Sequence, residues 1–291
     1  MPELPEVETI RIGLGTLLPG RTIASETHDW PKGFPNAKAD VANFLIGATI
    51  TTVRRRAKVL IIDLNTTYSL IIHLKMTGQL VFRSGTDRFG AGHPNDSLVG
   101  ELPDKSTRVI LTFEGGSQLF FNDQRKFGWM RLLPTSELTN LDFFKTVGPE
   151  PLADNFTAND FIACIRRRQR SMIKPVLLDQ TIVAGIGNIY ADESLWGAKT
   201  HPETRVHALT DQALRRLYTE LQAVLRLSIE KGGSTDRNYV STEGKRGSYL
   251  SFARAFRREG QPCPRCGTTI VKLRVAGRGT HICPHCQKLP K

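Results

Sequence analysis

Four of the five cysteines lie near the C-terminus in two Cys-x-x-Cys pairs. Cys263 and Cys266 form the first pair and Cys283 and Cys286 the second, with sixteen residues between them. Two such pairs at this separation predict a tetrahedral zinc site with four thiolate ligands. Because four thiolates leave no open coordination position, the zinc should be structural, and His285 is not expected to be a ligand. A redox pair or a chance spacing is the alternative interpretation.

The segment between the two pairs carries one arginine flanked by glycines, Gly277-Arg278-Gly279. The glycines predict a tight turn that projects the guanidinium, whose fork of donors suits a phosphate. An arginine exposed at a hairpin tip without a ligand is the alternative. A segment this short buries little core, so metal binding would supply its folding energy.

A second glycine motif, Gly185-Ile186-Gly187-Asn188, lacks the third glycine of a dinucleotide site and the Gly-Lys-Ser/Thr of a phosphate loop. It predicts a turn between two helices, with Asn188 at the start of the second. There the Asn188 amide and nearby backbone N–H groups can bind a phosphate. A helix-capping asparagine with no ligand is the alternative.

The charge balance favours a polyanionic partner. Forty Lys and Arg against 28 Asp and Glu give a net charge of +12, and residues 252–291 contain nine basic residues and one acidic residue. A focused basic region indicates nucleic acid, whereas a merely basic protein is the alternative. With no long apolar run and no start typical of a signal peptide, we expect no membrane partner and a cytosolic location, where thiols stay reduced.

The pattern along the chain predicts how these residues are positioned. A helix is expected from about residue 6 to 18, and short apolar runs predict strands, including a hairpin turning at 114–117. The stretch 84–104 is rich in Gly, Pro and Asp and predicts a long loop. The predicted strands cover residues 59–64, 69–74, 108–113 and 118–121.

After a linker at 148–151, the period becomes helical. Thr157 and Asp160 have the spacing of a capping box, and leucines from Leu214 onward recur at helical spacing until Gly232-Gly233. A loop at 241–251 leads to the cysteine segment. We therefore predict an α+β multidomain protein with a β-sandwich or barrel, a helical domain and a zinc finger.

Five motifs in order resemble a known family. They are Met1-Pro2-Glu3-Leu4-Pro5-Glu6, Arg56-Ala57-Lys58, Asp123-Gln124-Arg125-Lys126-Phe127-Gly128, Gly185–Tyr190 and the ending 276–286. Together they resemble bacterial formamidopyrimidine-DNA glycosylases, which remove 8-oxoguanine and ring-opened purines from DNA, and the resemblance covers essentially the whole chain. It implies an N-terminal β-sandwich with flanking helices (1–147), a helix–two-turn–helix domain (148–251) and a zinc finger (252–291), with DNA in the cleft.

The resemblance also implies catalytic roles. Once Met1 is removed, Pro2 is the amine nucleophile that attacks C1′, although by itself it reads as an ordinary second residue. Glu3 resembles the general acid, and Glu6 a supporting carboxylate. Lys58 resembles the lysine that contacts phosphate and serves β-elimination, and Arg278 the finger arginine that holds phosphates and is linked to δ-elimination.

Further residues resemble the family's DNA contacts. Asn188 matches a second phosphate holder, and Met76, Arg125 and Phe127 match a trio that fills the gap left by a flipped base, although core packing is the alternative for Met76 and Phe127. Many members carry His-x-His where this chain has Ser106-Thr107-Arg108, so Arg108 is the candidate substitute contact. The loop that closes over the flipped base is expected to include Thr242, Gly244, Gly247 and Tyr249.

The function implied is a bifunctional DNA glycosylase and AP lyase of base excision repair, with β,δ-elimination. It would act on double-stranded DNA as a monomer in the bacterial cytoplasm, with one structural zinc and no nucleotide or redox cofactor. Two alternatives remain open. One is an endonuclease VIII-type glycosylase for oxidised pyrimidines, which the Leu4-Pro5 start and the Arg-x-Phe pattern disfavour. The other is a non-catalytic zinc-bearing DNA-binding protein.

Overall fold

The computed structural model describes residues 2–85, 87–93, 95–234 and 249–290. The chain divides into two compact units, a first unit of Met1–Lys145 with Lys231–Ser248 and a second unit of Thr146–Glu230 with Tyr249–Lys291. The boundary near 145 lies close to the predicted end of the N-terminal domain at 147. The cysteine segment shares a unit with the helices, and the division into three domains stays a prediction.

The first unit is mainly strands. Its helical elements are α1 (Leu4–Leu17), α2 (Lys38–Asp40), a π-helical turn (Val41–Leu45), two 3-10 turns (Asp96–Leu98 and Thr135–Asn140) and, at the boundary with the second unit, α3 (Asp142–Thr146). Its strands are β1 (Ile23–His28), β2 (Ile50–Arg56), β3 (Val59–Leu64), β4 (Tyr68–His73), β5 (Gly78–Ser84), β6 (Asp87–Gly92), β7 (Thr107–Phe113), β8 (Gln118–Asp123) and β9 (Trp129–Pro134).

These strands form two antiparallel sheets, with orders β1-β7-β8-β5-β6 and β2-β3-β4-β9. One hydrophobic cluster contains side chains of both sheets and of helix α1, such as Leu60, Phe121 and Ile10, all fully buried. Two sheets that share a core between their inner faces make a β-sandwich. The predicted sandwich and the predicted β7–β8 hairpin are confirmed.

Helix α1 begins earlier than predicted, at Leu4. Glu3 is its N-cap and Pro5 lies in the first turn, where a missing N–H costs nothing. Val7, Ile10 and Leu14 follow at helical spacing and are fully buried. The helix therefore fixes its own N-terminus against the sandwich core.

The prediction of one long loop over 84–104 is wrong. Strand β6 occupies Asp87–Gly92 and pairs with β5 along six residues. Two glycines hid this strand from the sequence pattern, and both lie close to the backbone of other segments. A Cβ on Gly92 would lie 2.5 Å from the carbonyl oxygen of Gly78, and one on Gly90 would lie 3.2 Å from that of Leu98.

The second unit is helical and ends in a hairpin. Its helices are α4 (Ala158–Arg166), α5 (Ile173–Leu178), α6 (Asn188–Gly197) and α7 (Asp211–Glu230), with 3-10 turns at Val206–Ala208 and Tyr249–Phe252. Its strands are β10 (Val271–Val275) and β11 (Arg278–Ile282), which pair antiparallel.

The capping box and the helical leucine spacing predicted from the sequence are both present in the structure. Thr157 caps α4 and exchanges hydrogen bonds with Asp160, as the predicted capping box requires. Leu214, Leu217 and Leu221 are fully buried on one face of α7. None of the helices in the described part of the chain has the length and apolar character needed to cross a membrane.

Candidate active site and zinc centre

The two residues immediately before helix α1, Pro2 and Glu3, are buried. Pro2 lies just before the cap residue Glu3, which is 4% exposed. The Glu6 carboxylate accepts a hydrogen bond from the backbone N–H of Glu3 at 2.8 Å and one from the backbone N–H of Ser234 at 2.7 Å. Glu6 therefore fixes the backbone next to Pro2 and ties it to residue 234.

Lys58 lies in the turn between β2 and β3, immediately before the apolar strand that the sequence predicted. It is 8% exposed, and Ala57 beside it has a φ of 53°. Arg55 donates to the carbonyl oxygen of Ala57 at 2.7 Å and to the Glu8 carboxylate at 2.8 Å. Arg55 thus ties the lysine turn to helix α1. Burial opposes ionisation of Glu8, but its hydrogen bonds with Arg11 and Arg55 hold its pKa below the usual value.

The sheet register brings three predicted segments to one end of the four-stranded sheet. Val59 pairs with His73 across β3 and β4, and His73 pairs with Trp129 across β4 and β9. Lys58, the turn after His73 and the turn before Trp129 therefore emerge at the same end. Those turns carry Met76 and the pair Arg125 and Phe127, respectively.

The predicted gap-filling trio is exposed in the structure. Met76 is 39% exposed and Phe127 is 53% exposed, so neither is a core residue. Arg125 lies over the Phe127 ring, with its guanidinium carbon 4.8 Å from the ring centroid. Exposed apolar side chains held next to a guanidinium suit insertion into a base stack.

His73 is a titratable residue of this region that the sequence reasoning missed. Burial, together with the positive charges of Lys75 and Lys58, lowers its pKa from 6.5 to about 3. Its Nδ1 accepts a hydrogen bond from the backbone N–H of Lys75 at 3.0 Å. His73 is therefore neutral at physiological pH, and only the pairing of β3 with β4 reveals that it lies beside Lys58.

This depressed pKa predicts a specific acid sensitivity. In the unfolded chain the His73 imidazole becomes protonated as the pH falls through 6.5. In the folded chain it stays neutral down to about pH 3. The stability that a neutral His73 contributes is therefore complete above pH 6.5 and decreases as the pH falls, by about 2 kcal/mol at pH 5. Denaturant unfolding at pH 8 and pH 5 should show a smaller decrease for His73→Asn than for the wild type. Parallel decreases in the two proteins would refute the prediction.

Arg108 was expected to contact DNA, but its guanidinium is hydrogen-bonded within the protein. It is 6% exposed and donates to the Asp123 carbonyl oxygen at 2.9 Å, to the Asp29 carboxylate and to the Lys105 carbonyl oxygen. A guanidinium with three internal acceptors is satisfied without a phosphate. The structure thus gives Arg108 a supporting role beneath the turn that carries Arg125.

Most of the predicted lesion loop, including Thr242, Gly244 and Gly247, lies outside the residues that the structure describes. Tyr249 is described, and it is fully buried in the helical core rather than placed on a loop surface. Its hydroxyl donates to the Glu193 carboxylate at 3.2 Å. Burial and the nearby Glu193 charge raise its pKa.

In the second unit, the glycine motif joins α5 to α6 as predicted. Gly187 is the N-cap of α6, and Asn188 is its first residue. The Asn188 amide donates to the carbonyl oxygen of Gly279 at 3.0 Å, while its side-chain oxygen is buried without a partner among the described residues. The two predicted phosphate holders are therefore linked, because Gly279 follows Arg278.

Arg278 is the first residue after the hairpin turn Ala276-Gly277, whose φ values are 46° and 80°. Its side chain is exposed, as the flanking glycines predicted. The strand after it is anchored by Lys174, which is fully buried and donates to Asp192 at 2.6 Å and to the Gly279 carbonyl oxygen at 3.1 Å. A buried ion pair of this kind fixes the hairpin that presents Arg278.

The four predicted ligands come together. The Sγ atoms of Cys263, Cys266, Cys283 and Cys286 all lie within 4.8 Å of one another, and His285 is not part of the cluster. Tetrahedral zinc with Zn–S bonds of 2.3 Å separates its sulfurs by about 3.8 Å, which the cluster fits. The Trp196 indole N–H points at the Cys263 sulfur from 3.4 Å. The protein therefore holds one structural zinc ion.

The comparisons with known proteins agree along the whole chain. Family models match three consecutive segments: the formamidopyrimidine-DNA glycosylase N-terminal domain at residues 1–130, the formamidopyrimidine-DNA glycosylase H2TH domain at 147–239, and a zinc finger found in FPG and IleRS at 260–289. The order of these matches is the order of elements in the structure.

Individual relatives cover nearly the full length. A formamidopyrimidine-DNA glycosylase of Streptococcus pyogenes serotype M18 is 43% identical over 292 residues, covering 99% of each chain. One of Pelotomaculum thermopropionicum is 41% identical, covering 99% of this chain and all of its own. The solved Lactococcus lactis Fpg in complex with an abasic site containing DNA has a TM-score of 0.85 and 35% identity, covering 98% of this chain and 99% of that chain. A structure of MutM with DNA containing carbocyclic 8-oxo-G has a TM-score of 0.83 and 34% identity, covering 99% of this chain and all of that chain.

Proposed function

The chain belongs to the formamidopyrimidine-DNA glycosylase family, and we propose that it excises oxidised purines from double-stranded DNA and then cleaves the strand at the abasic site. This is the work of a DNA glycosylase and AP lyase in base excision repair. The observation that carries the proposal is the buried start of helix α1, where Pro2 precedes Glu3. Solved relatives are in complex with DNA that contains Fapy-dG, an abasic site or carbocyclic 8-oxo-G, and these point to the substrate classes we assign here.

The nucleophile is the secondary amine of Pro2 after removal of Met1. A model α-amino group has a pKa of roughly 8, so a fraction is neutral near pH 7. Burial at the positive end of the α1 dipole disfavours a further positive charge and thus favours the neutral, nucleophilic amine. The Glu6 carboxylate fixes the backbone beside it.

The reaction proceeds by displacement at C1′. The Pro2 nitrogen forms a bond to C1′ while the glycosidic bond breaks and its electron pair leaves with the base. The Pro2 nitrogen then loses its proton, Glu3 donates a proton to O4′, and the C1′–O4′ bond breaks to give an iminium ion. Because proline has no further N–H to lose, the positive charge persists on this intermediate.

Strand cleavage follows from that charge. The iminium acidifies the C2′ proton, and its removal expels the 3′ phosphate by β-elimination. Loss of the C4′ proton then expels the 5′ phosphate by δ-elimination. We assign contact with a phosphate and service of the β-elimination to Lys58, and the holding of flanking phosphates to Asn188 and Arg278.

Base eversion requires a replacement in the stack. Extruding a nucleotide costs a few kcal/mol of stacking and pairing. We assign Phe127 as the wedge, Arg125 as the contact to the orphaned cytosine and Met76 as the side chain in the lesion's place, supported by their exposure in the structure. The enzyme would act as a monomer in the bacterial cytoplasm.

Borohydride trapping tests the proposal. Reduction during reaction with a duplex containing 8-oxoguanine should convert the iminium to a stable amine and leave one chain attached to the cleaved strand, visible on a denaturing gel. A duplex with thymine glycol in the same sequence is the control, and preference for it would indicate a pyrimidine-directed enzyme. Binding of the 8-oxoguanine duplex without any adduct from zinc-loaded, Met1-processed protein would refute the catalytic assignment.

A further inference from the structure

A single buried carboxylate contacts both turns that carry the gap-filling trio. Asp123 ends strand β8 and is 1% exposed. One of its oxygens accepts hydrogen bonds from the Thr77 hydroxyl and from the backbone N–H of Arg125 at 3.2 Å. The other accepts from the backbone N–H groups of Phe127 at 2.8 Å and Gly128 at 2.7 Å.

These four donors come from two separate segments of the chain. Thr77 directly follows Met76 in the turn between β4 and β5, and its hydroxyl also accepts a hydrogen bond from the Arg125 N–H at 3.1 Å. The remaining donors belong to the turn that carries Arg125 and Phe127. The positions of all three exposed side chains therefore depend on one carboxylate.

The backbone of Asp123 is itself fixed by two hydrogen bonds. Its backbone N–H donates to the Ser106 carbonyl oxygen at 2.7 Å, and its carbonyl oxygen accepts from the Arg108 guanidinium at 2.9 Å. Space is tight above it, because a Cβ on Gly128 would lie 3.1 Å from the carboxylate and 2.7 Å from the Phe121 ring. The carboxylate is therefore rigidly placed.

We propose that Asp123 is a positioning residue for base eversion: by accepting hydrogen bonds from both turns, it presents Met76, Arg125 and Phe127 to DNA as one unit. This inference rests on the proposed function, in which the trio fills the gap in the stack. Asp123 reaches the trio only through its own hydrogen bonds and acts on no atom of the sugar. Its loss should therefore impair base release from paired DNA more than chemistry at a preformed abasic site.

The chemistry of the group explains why a carboxylate is required. Each carboxylate oxygen faces two donors, whereas an asparagine amide offers one oxygen and one NH2 group. Asp123→Asn keeps the shape of the side chain, but the two hydrogens of its NH2 group then face backbone or hydroxyl donors. Whichever way the amide is turned, its NH2 group faces the backbone N–H of Arg125 or those of Phe127 and Gly128, and that contact between donors replaces a hydrogen bond and displaces the turn.

The test compares two substrates under single-turnover conditions. We expect Asp123→Asn to slow base release from a duplex with 8-oxoguanine opposite cytosine on the order of 10²-fold, the cost of a misplacement of about 1 Å. Borohydride trapping at a preformed abasic site should change only a few-fold. Asp63→Asn is the matched control, since Asp63 is a carboxylate of the same unit that accepts from Arg54 and Ser69 at the far end of strand β3. It should leave both rates unchanged.

A second pair of variants covers the case in which Asp123→Asn does not fold. Thr77→Val removes the hydroxyl shared by Asp123 and Arg125 and should lower base release in the same substrate-selective way, whereas Thr77→Ser should restore it. Equal losses on both substrates, or a wild-type rate for Thr77→Val, would overturn the inference. Failure of the wild type to release base at all would instead refute the proposed function.

Discussion

A chain that retains Met1, or that carries residues ahead of Pro2, should form no borohydride-trapped adduct with 8-oxoguanine DNA. In such a chain the Pro2 nitrogen is part of a peptide bond, so its lone pair is delocalised and cannot attack C1′. Loss of the covalent route should lower base release by several orders of magnitude.

The measurement pairs the extended chain with Pro2→Gly, both purified with zinc and assayed at matched DNA occupancy. Pro2→Gly keeps a terminal amine without the ring and should retain DNA binding while losing most base release. Thermal unfolding should be unchanged in the extended chain, because the hydrogen bond from the Glu3 N–H to Glu6 remains. Normal release from the extended chain would place the nucleophile elsewhere.

The second large effect should follow from loss of the zinc site. Cys283 is fully buried, and the cluster around it contains few other apolar side chains, among them Trp196 and Ile270. So small a core, even with the Lys174 anchor, contributes less than structural zinc, which contributes about 10–16 kcal/mol to comparable fingers. Cys283→Ser or a strong chelator should therefore unfold the hairpin that presents Arg278 and abolish DNA binding.

Zinc content and binding of a fluorescent abasic-analogue duplex measure this effect together. Cys164→Ser is the control, because the half-buried Cys164 thiol lies outside the four-sulfur cluster. It should retain one zinc per chain and wild-type affinity. Unchanged affinity of the metal-free Cys283→Ser protein would show that the finger is not needed for binding.

The sequence predicted the elements whose signals are local. The capping box of Thr157 and Asp160 lies within one helical turn, and the two glycines around residue 186 mark a turn between helices whatever lies nearby. The β6 strand was missed because its glycines serve contacts with distant backbone, which a linear pattern read as loop composition. Its pairing with β5 exists only in the folded sheet.

The same division holds for the site. The spacing of the two Cys-x-x-Cys pairs was enough to predict the zinc ligands, and the flanking glycines predicted the exposed arginine at the finger hairpin. Pro2 and Glu3 were assigned instead through the resemblance to the family, because neither residue is distinctive on its own. Three outcomes became visible only in the folded chain: Arg108 hydrogen-bonds within the protein where a DNA contact was expected, Tyr249 is a core residue, and Asp123 joins two turns. Those outcomes depend on which strands pair and in which register, and that pairing is set by burial of side chains far apart in the sequence.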